Sequence, residues 1–294
     1  VAAYALLLTA KNGYQGAIMA PTEILARQHF MNIGDLLMPL GVNVKLLVSG
    51  MAREDKEWIK NEIAKGDVDV ICGTHALIQE EVRFRELGLC VIDEQHKFGV
   101  DQREALKSKG RNPHTLVMTA TPIPRTLALT IYGDLDISVL KEGPRDKGRV
   151  DTFWVGNEKR DMVHKFVSGE IEKGRQAYIV CPRLSDSGGA ELKNAVGLFE
   201  ELKNGVFSGQ RMALLHGRME SSEKEKIMKD FKNKKYDILL STVVIEVGID
   251  VPNASVMVIE NAENFGLSQL HQLRGRVGRG SSDSYCLLIG DPRT

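Results

Sequence analysis

The segment Leu87-Gly-Leu-Cys-Val-Ile-Asp-Glu94 gives the strongest indication of the fold class, because it joins a continuous apolar run to two adjacent carboxylates. Such a run is typical of a strand that is buried on both faces, as in a parallel sheet. In these sheets the carboxyl ends of the strands open onto the ligand crevice. We therefore expect Asp93 and Glu94 at that edge, where an Asp suits Mg²⁺ with nucleotide phosphates and a Glu can polarise an attacking water. The plain alternative is an acidic turn after a strand.

Similar apolar runs recur along the chain and alternate with segments whose apolar residues return every three or four positions. This rhythm predicts the α/β class, with strand–helix–strand crossovers and parallel sheets covered on both faces. The predicted strands are Gly16–Ala20, Val42–Leu47, Val68–Cys72, Leu87–Ile92, Thr115–Met118, Ile137–Leu140, Thr152–Val155, Ala177–Val180, Met212–Leu215, Asp237–Leu240, Ser255–Ile259 and Ser284–Leu288. The predicted helices include Glu23–Leu37, Arg53–Lys65, Lys159–Lys173, Ala190–Lys203 and Ser222–Lys232, with Thr22 and either Ser221 or Ser222 as N-caps.

The polar segment Lys141–Arg149 contains glycine and proline near the middle of the chain and interrupts this rhythm. Segments of this composition are typical of boundaries between domains. We therefore predict two tandem parallel-sheet domains, residues 1–143 and residues 144–294, with a hinge near residues 141–151. The two halves share this architecture without an obvious shared sequence.

Composition excludes several classes of protein. The chain has 294 residues, of which 43% are hydrophobic and 27% charged, which suits two globular domains. Its 39 basic and 39 acidic residues cancel, which excludes a polycation that binds nucleic acid by bulk charge. No apolar run approaches the roughly 20 residues that span a bilayer, so we expect no membrane partner. The scattered cysteines, Cys72, Cys90, Cys181 and Cys286, are interpreted as buried apolar residues of a cytoplasmic protein rather than as metal ligands or disulfides.

Two further segments are candidates for chemistry. Thr119-Ala-Thr-Pro122 follows a predicted strand and brings two small hydroxyls beside the acidic pair, although alone it also fits a strand that leads into a helix starting with proline. Three arginines lie between positions 274 and 279 on a turn broken by glycine. Arginine suits the charge on a transferring phosphoryl group, whereas the plain alternative is a solvated basic helix end.

In this order the segments resemble the motifs of superfamily 2 helicases. The matching stretches are Ala20–Glu23 for motif Ia, Gly73–His75 for Ib, Asp93–His96 for II, Thr119–Thr121 for III, Leu215–Gly217 for IV, Ser241–Asp250 for V and Gln272–Arg279 for VI. The finer wording, such as Asp93-Glu-Gln-His-Lys-Phe-Gly99, is similar to that of bacterial DNA helicases that remodel stalled forks and recombination junctions in DNA repair. Transcription-repair coupling translocases are similar in the segments around motifs V and VI but usually carry Asp-Glu-Glu-Gln in motif II. They are the alternative within the same class.

The resemblance implies two RecA-like domains of the P-loop NTPase type, ATP and Mg²⁺ as cofactors, and branched or double-stranded DNA as the partner of a monomer. It assigns Asp93 to Mg²⁺ and Glu94 to the activation of water. The other implied roles are nucleotide contact or sensing for Gly248, Asp250 and Gln272, arginine fingers for Arg276 and Arg279, coupling for His96, Thr119 and Thr121, and a nucleic-acid track for Pro21, Thr22, Gly73, Thr74, His75, His216, Gly217 and Thr242.

Two departures from the family pattern are visible. The sequence contains no G-x-x-x-x-G-K-[ST] phosphate loop, which the family places just before a helix that begins like Val1–Ala5. The family's wedge domain for branched DNA and its extension after motif VI have no match either. We therefore expect a motor fragment, cut at both ends, that does not hydrolyse ATP by itself. The non-enzymatic alternative is a nucleic-acid-binding module that lost its phosphate loop.

Overall fold

A computed structural model of the chain describes residues 1–119, 135–140, 148–182, 190–242, 251–280 and 282–291. These residues fall into two compact α/β units. Unit 1 contains the described residues up to Thr119, and unit 2 contains those from Leu135 onward. The predicted boundary at residue 143 lies outside the described ranges and stays a prediction.

Unit 1 is built around one parallel sheet. Its elements are α1 Ala2–Lys11, β1 Gln15–Met19, α2 Glu23–Leu37, β2 Val44–Leu47, α3 Arg53–Lys65, β3 Val70–Gly73, β4 Leu87–Asp93, α4 Val100–Lys107 and β5 His114–Met118. The strand order is β2-β3-β1-β4-β5, with every pair parallel. Successive side chains of β1 point to opposite faces, so Ile18 packs with α1 and α2 while Met19 packs with α3 and α4. Apolar cores therefore cover both faces of the sheet.

Unit 2 repeats this architecture. Its elements are β6 Val150–Val155, α5 Arg160–Glu172, β7 Gln176–Cys181, α6 Ala190–Asn204, β8 Met212–Leu215, α7 Ser221–Lys232, β9 Ile238–Thr242, β10 Ala254–Ile259, α8 Leu267–Arg274 and β11 Ser284–Ile289. The parallel strands have the order β6-β11-β10-β7-β9-β8. Strands β7, β9 and β10 are buried along their whole length. The predicted fold class is confirmed. Within the described ranges, no helix is long and apolar enough to cross a membrane.

Most predicted elements are confirmed to within two residues, and Thr22 does cap α2, since its Oγ1 accepts the N–H of Leu25 at 3.3 Å. Two predictions are wrong. Residues 137–140 form no strand, and the side chains of Val139 and Leu140 are 71% and 83% exposed, so this apolar run has neither a pairing partner nor a buried face among the described residues. Helix α7 begins at Ser221 after Glu220 and has no side-chain cap, so neither predicted serine is its N-cap.

One segment occurs in both units with the same backbone. Residues 92–107 and residues 259–274 each leave a strand, pass through one residue in the left-handed region, make a single 3₁₀ turn and enter a helix of eight residues. The left-handed residues are Glu94 (φ 49°, ψ 50°) and Asn261 (φ 49°, ψ 51°). The agreement extends over the strand end, the turn and the following helix.

The two copies also share sequence at the positions that fix this backbone. Both turns end in Phe-Gly, and the glycine is the N-cap of the helix. The N–H of Gly99 donates to Oε1 of Gln102 at 3.2 Å, and the N–H of Gly266 donates to Oε1 of Gln269 at 3.0 Å. A local repeat therefore exists where the sequence showed no obvious one. In this alignment the strand-end carboxylate of unit 1 corresponds to Glu260 in unit 2.

Candidate functional site

The carboxyl edge of the sheet in unit 1 brings together four of the predicted motifs. Strands β3, β1, β4 and β5 lie side by side and parallel, so the residues that follow them emerge at one edge. The N–H of Ala20 after β1 donates to the carbonyl oxygen of Gly73 at the end of β3, at 2.9 Å. Asp93 of β4 pairs in register with Met118 of β5, which puts Thr119 next to the acidic pair.

Asp93 is the last residue of β4, and its side chain is 19% exposed. Its Oδ1 accepts the N–H of Glu94 at 3.0 Å, and its Oδ2 lies 2.7 Å from Nε2 of His29 on α2. An ionised carboxylate only accepts, so Nε2 of His29 is the donor. Each carboxylate oxygen keeps further lone pairs for another ligand. Hard oxygen donors are those that Mg²⁺ prefers, so Asp93 fits the ion that the motif implies.

Glu94 follows in the left-handed region, which costs a residue with a side chain about 1–2 kcal/mol. Backbone of this kind recurs at functional sites. The hydroxyl Oγ1 of Thr119 lies 3.5 Å from Oε2 of Glu94, so the structure places the predicted coupling residue beside the predicted catalytic one. The side chain of His96 and all of Thr121 lie outside what the structure describes.

His29, the partner of Asp93, was not predicted as a site residue. It lies on the stripe of α2 that also carries the buried residues Ala26, Ile33 and Leu37, at the spacing of successive helical turns. In the sequence, His29 was visible as a lone histidine on the apolar face of a predicted helix. Its partner was not, because Asp93 is 64 positions away along the chain.

The predicted nucleic-acid residues of unit 1 differ in exposure. Pro21 and Thr22 are half-buried at the start of α2. A β-carbon at Gly73 would lie 2.5 Å from a backbone oxygen of β2, so only glycine fits there. Thr74 is 1% exposed, and its hydroxyl accepts a backbone N–H of the turn that follows, at 3.5 Å. His75 is exposed, so it is the side chain of this motif that a ligand can reach.

The predicted nucleic-acid residues of unit 2 follow two adjacent strands. Leu215 of β8 pairs with Ser241 of β9, so His216 and Thr242 come next to each other in register at the carboxyl edge. His216 is half-buried, and its Nδ1 has no hydrogen-bond partner among the described residues. Gly217 is exposed, whereas Thr242 is 3% exposed. The predicted nucleotide contacts Gly248 and Asp250 lie outside the described ranges.

Helix α8 and the turn after it carry the predicted arginine fingers. Gln272, Arg276 and Arg279 are all half-buried, and Nε of Arg279 donates to the carbonyl oxygen of Gly275 at 3.1 Å. Gly278 has φ +75°, and a β-carbon on it would lie 2.2 Å from Cγ2 of Val150 in β6. Packing against β6 therefore already requires glycine at position 278.

A buried carboxylate with basic neighbours, also not predicted from the sequence, lies in unit 2. Glu260 follows β10, and its side chain is 3% exposed. Its Oε2 is 3.0 Å from Nη2 of Arg160, while its Oε1 is 3.8 Å from Nε2 of His164, too far for a hydrogen bond. A cavity of about 340 Å³ adjoins this pair, with Asn194 and Asn261 in its lining. The fixed guanidinium neutralises the buried carboxylate.

All four cysteines are buried, as predicted, and none is joined in a disulfide. Burial raises the pKa of the Cys72 thiol to about 12. Burial, together with the negative charge of Glu260, raises the pKa of Cys181 to about 12 as well. These thiols therefore act as apolar core residues at neutral pH. Within the described ranges, no three His, Cys, Asp or Glu side chains converge as a metal site.

Two protein families match the chain: DEAD/DEAH box helicase over residues 1–130, and helicase conserved C-terminal domain over residues 158–281. The chain is 50% identical to the ATP-dependent DNA helicase RecG of Streptococcus pneumoniae, over 100% of this chain and 44% of that protein. It is also 50% identical to RecG of Thermotoga maritima, over 99% of this chain and 37% of that protein. The chain thus spans less than half the length of these curated relatives.

Solved structures give the same result. A structure of RecG bound to a three-way DNA junction superposes with a TM-score of 0.81 at 47% identity, over 99% of this chain and 38% of that one. S. cerevisiae Dbp5, bound to RNA and ADP BeF3, has a TM-score of 0.71 at 17% identity, over 100% of this chain and 77% of that one, and shares the fold alone. The RecG matches favour the branch indicated by the motif II wording over the transcription-repair coupling alternative.

Proposed function

This chain belongs to the helicases that combine a DEAD/DEAH box domain with a conserved C-terminal domain, and from that premise we propose that it is the motor of an ATP-dependent DNA helicase. The proposed substrates are branched DNAs such as stalled forks and recombination junctions. The observation that carries the proposal is the likeness to RecG along the whole chain, which includes a RecG structure on a three-way junction. ATP and Mg²⁺ are the proposed cofactors.

In unit 1 we assign the hydrolytic chemistry to the adjacent carboxylates. Asp93 would hold Mg²⁺, which when bound neutralises charge on the phosphates. Glu94 would orient the attacking water and accept its proton, since its carboxylate follows directly after the metal ligand. Its distance of 3.5 Å from the Thr119 hydroxyl supports a path by which changes at the carboxylate reach the segment after β5.

In unit 2 we assign Arg276 and Arg279 to the charge that develops on the transferred phosphoryl group. We assign DNA contact to the carboxyl edges of the two sheets, through segments such as Pro21–Thr22 and His216–Gly217. Contacts of this type are made to phosphates by backbone amides, hydroxyls and helix N-termini, and they carry no sequence information. A local, sequence-blind track is consistent with 39 basic residues balanced by 39 acidic ones.

The test is a steady-state ATPase assay of the complete gene product with forked DNA, run beside a fork-unwinding assay. We expect Glu94→Gln to abolish turnover while fork binding is retained, because the variant loses the base and keeps the DNA track. Glu104→Gln is the matched control, since Glu104 is exposed on α4 and pairs with Lys107 on the surface. A wild-type protein that binds forks without hydrolysing ATP would instead support the non-enzymatic binding module.

A further inference from the structure

The contact between His29 and Asp93 has no role in the function proposed above. We propose that His29 is a positioning residue, which holds the Asp93 carboxylate in the orientation that Mg²⁺ requires. The inference rests on the proposed function, because it concerns the residue assigned to the metal. It begins from one distance, the 2.7 Å between Nε2 of His29 and Oδ2 of Asp93.

His29 is itself held in place by α2. It lies on the stripe of the helix that packs on the sheet, one turn after the buried Ala26 and one turn before Ile33. The first turn of α2 is fixed by the hydroxyl cap of Thr22 and by Glu23, whose carboxylate accepts the N–H of Gly50 at 2.8 Å. The imidazole is 23% exposed. A half-buried ring on an anchored helix presents its donor at a fixed point.

The two hydrogen bonds of Asp93 fix the plane of its carboxylate. The terminal torsion of an aspartate is broad, so a carboxylate at a strand end does not keep one orientation without partners. Here Oδ1 is held by the backbone N–H of Glu94 and Oδ2 by His29, a donor from a different element. Carboxylates that bind metals are usually hydrogen-bonded in this way, and loss of such a partner typically costs about 10- to 100-fold in metal affinity or activity.

In the repeated segment of unit 2, the corresponding carboxylate has a different hydrogen-bond partner. Glu260, which corresponds to Asp93, is held by the guanidinium of Arg160 at 3.0 Å. Arginine is always charged, so Arg160 neutralises the Glu260 carboxylate and would repel a metal ion bound to it. An imidazole donates Nε2–H in its neutral form as well, so it can orient a carboxylate without adding a fixed positive charge. The chemistry of His29 therefore suits a carboxylate that must stay available to a cation.

The experiment measures Mn²⁺ binding to the complete gene product by electron paramagnetic resonance, with a non-hydrolysable ATP analogue present. His29→Leu removes the donor and keeps the volume, whereas His29→Gln keeps an amide donor at similar reach. We expect Mn²⁺ affinity to fall about 10- to 100-fold in the Leu variant and to recover to within about threefold of wild type in the Gln variant. Asn32→Ala, an exposed change on the same helix, is the matched control and should leave affinity unchanged.

The ATPase assay of the same proteins separates the possible failures. We expect the Leu variant to need about 10- to 100-fold more Mg²⁺ for half-maximal turnover, with kcat near wild type at saturating Mg²⁺. A wild-type protein without DNA-stimulated ATPase would overturn the proposed function itself. An active wild type whose Leu variant binds Mn²⁺ normally, or whose Gln variant is as weak as Leu, would overturn the role of His29 alone. If the Leu variant folds poorly by thermal unfolding, His29→Asn, whose amide is too short to reach Asp93, gives the same test.

Discussion

Gly278→Ala is expected to destabilise unit 2 by about 2–5 kcal/mol, as the sum of two separate costs. The backbone at Gly278 has φ +75°, a region that costs a residue with a β-carbon about 1–2 kcal/mol. The added carbon would also lie 2.2 Å from Cγ2 of Val150. Relief of such an overlap in a packed interior typically costs about 1–3 kcal/mol more. The substitution falls between Arg276 and Arg279, so it also tests whether packing against β6 fixes their turn.

The measurement is urea unfolding of the 294-residue chain in a Trp58→Phe background, so that fluorescence reports Trp154 alone. Trp154 lies on β6, and its Nε1 donates to the carbonyl oxygen of Gly290 at 2.9 Å, so it senses the loss of unit 2. Gly174→Ala is the matched control, because Gly174 has φ +81° with no atom within 4 Å of an added carbon, and it should show only the backbone cost.

When it is combined with Gly278→Ala, Val150→Ala should restore the stability lost to the overlap, because it removes the methyl group that the added carbon would meet. The double variant is therefore expected to be about 1–3 kcal/mol more stable than the two single losses predict. Equal losses for Gly278→Ala and Gly174→Ala, or additive effects of the changes at 278 and 150, would refute the close approach to β6 as the reason for glycine.

In the complete gene product, Arg276→Ala or Arg279→Ala is expected to lower DNA-stimulated ATPase turnover by about 10³-fold with much less effect on ATP binding. Turnover within about threefold of wild type would make that arginine structural or a DNA contact. Expressed alone, the 294-residue chain should hydrolyse no measurable ATP with forked DNA, because its sequence lacks the phosphate loop; activity that Glu94→Gln abolishes would contradict this. Burial raises the pKa of Cys72 from 9.0 to about 12, so unfolding releases protons above pH 9 and the thiol's contribution to stability falls from there upward. At pH 8 a thiol reagent should react with the four cysteines only after unfolding, and fast reaction of the folded chain would show that the thiols are accessible.

The fold class could be predicted because its signals are local. A strand buried on both faces is apolar at most of its positions, and the buried strands of both sheets are, with Gln15, Gln176 and Ser255 as polar exceptions. The order of strands could not be predicted, because nothing in β1 says that it lies between β3 and β4. Ile137–Leu140 shows the limit of the same signal, since an apolar run becomes a strand only where another strand offers an edge.

The candidate site was predicted as far as its residues follow strands. Asp93, Glu94 and Thr119 come directly after β4 and β5, so neighbouring strands bring them together. His29 reaches the same place from a helix, and only the packing of α2 on the sheet decides which strand end it meets. Gly278 was visible in the sequence as part of a turn broken by glycine, but its contact with Val150 was not, because that contact depends on how the turn packs against β6.

A comparison of the two copies of the repeated segment indicates why position 94 is a glutamate, independently of its motif. Both copies hold their third residue, Glu94 or Asn261, at φ 49°, and Asn261 tolerates that region because its short polar side chain adapts to it. Glutamate has no such tolerance, and this region costs a residue with a side chain about 1–2 kcal/mol. Since the backbone demand is the same in both copies, backbone geometry alone would favour asparagine or glycine at position 94. We therefore attribute the glutamate at position 94 to the function of its carboxylate. This carboxylate follows Asp93, the proposed Mg²⁺ ligand, and lies 3.5 Å from the hydroxyl of Thr119.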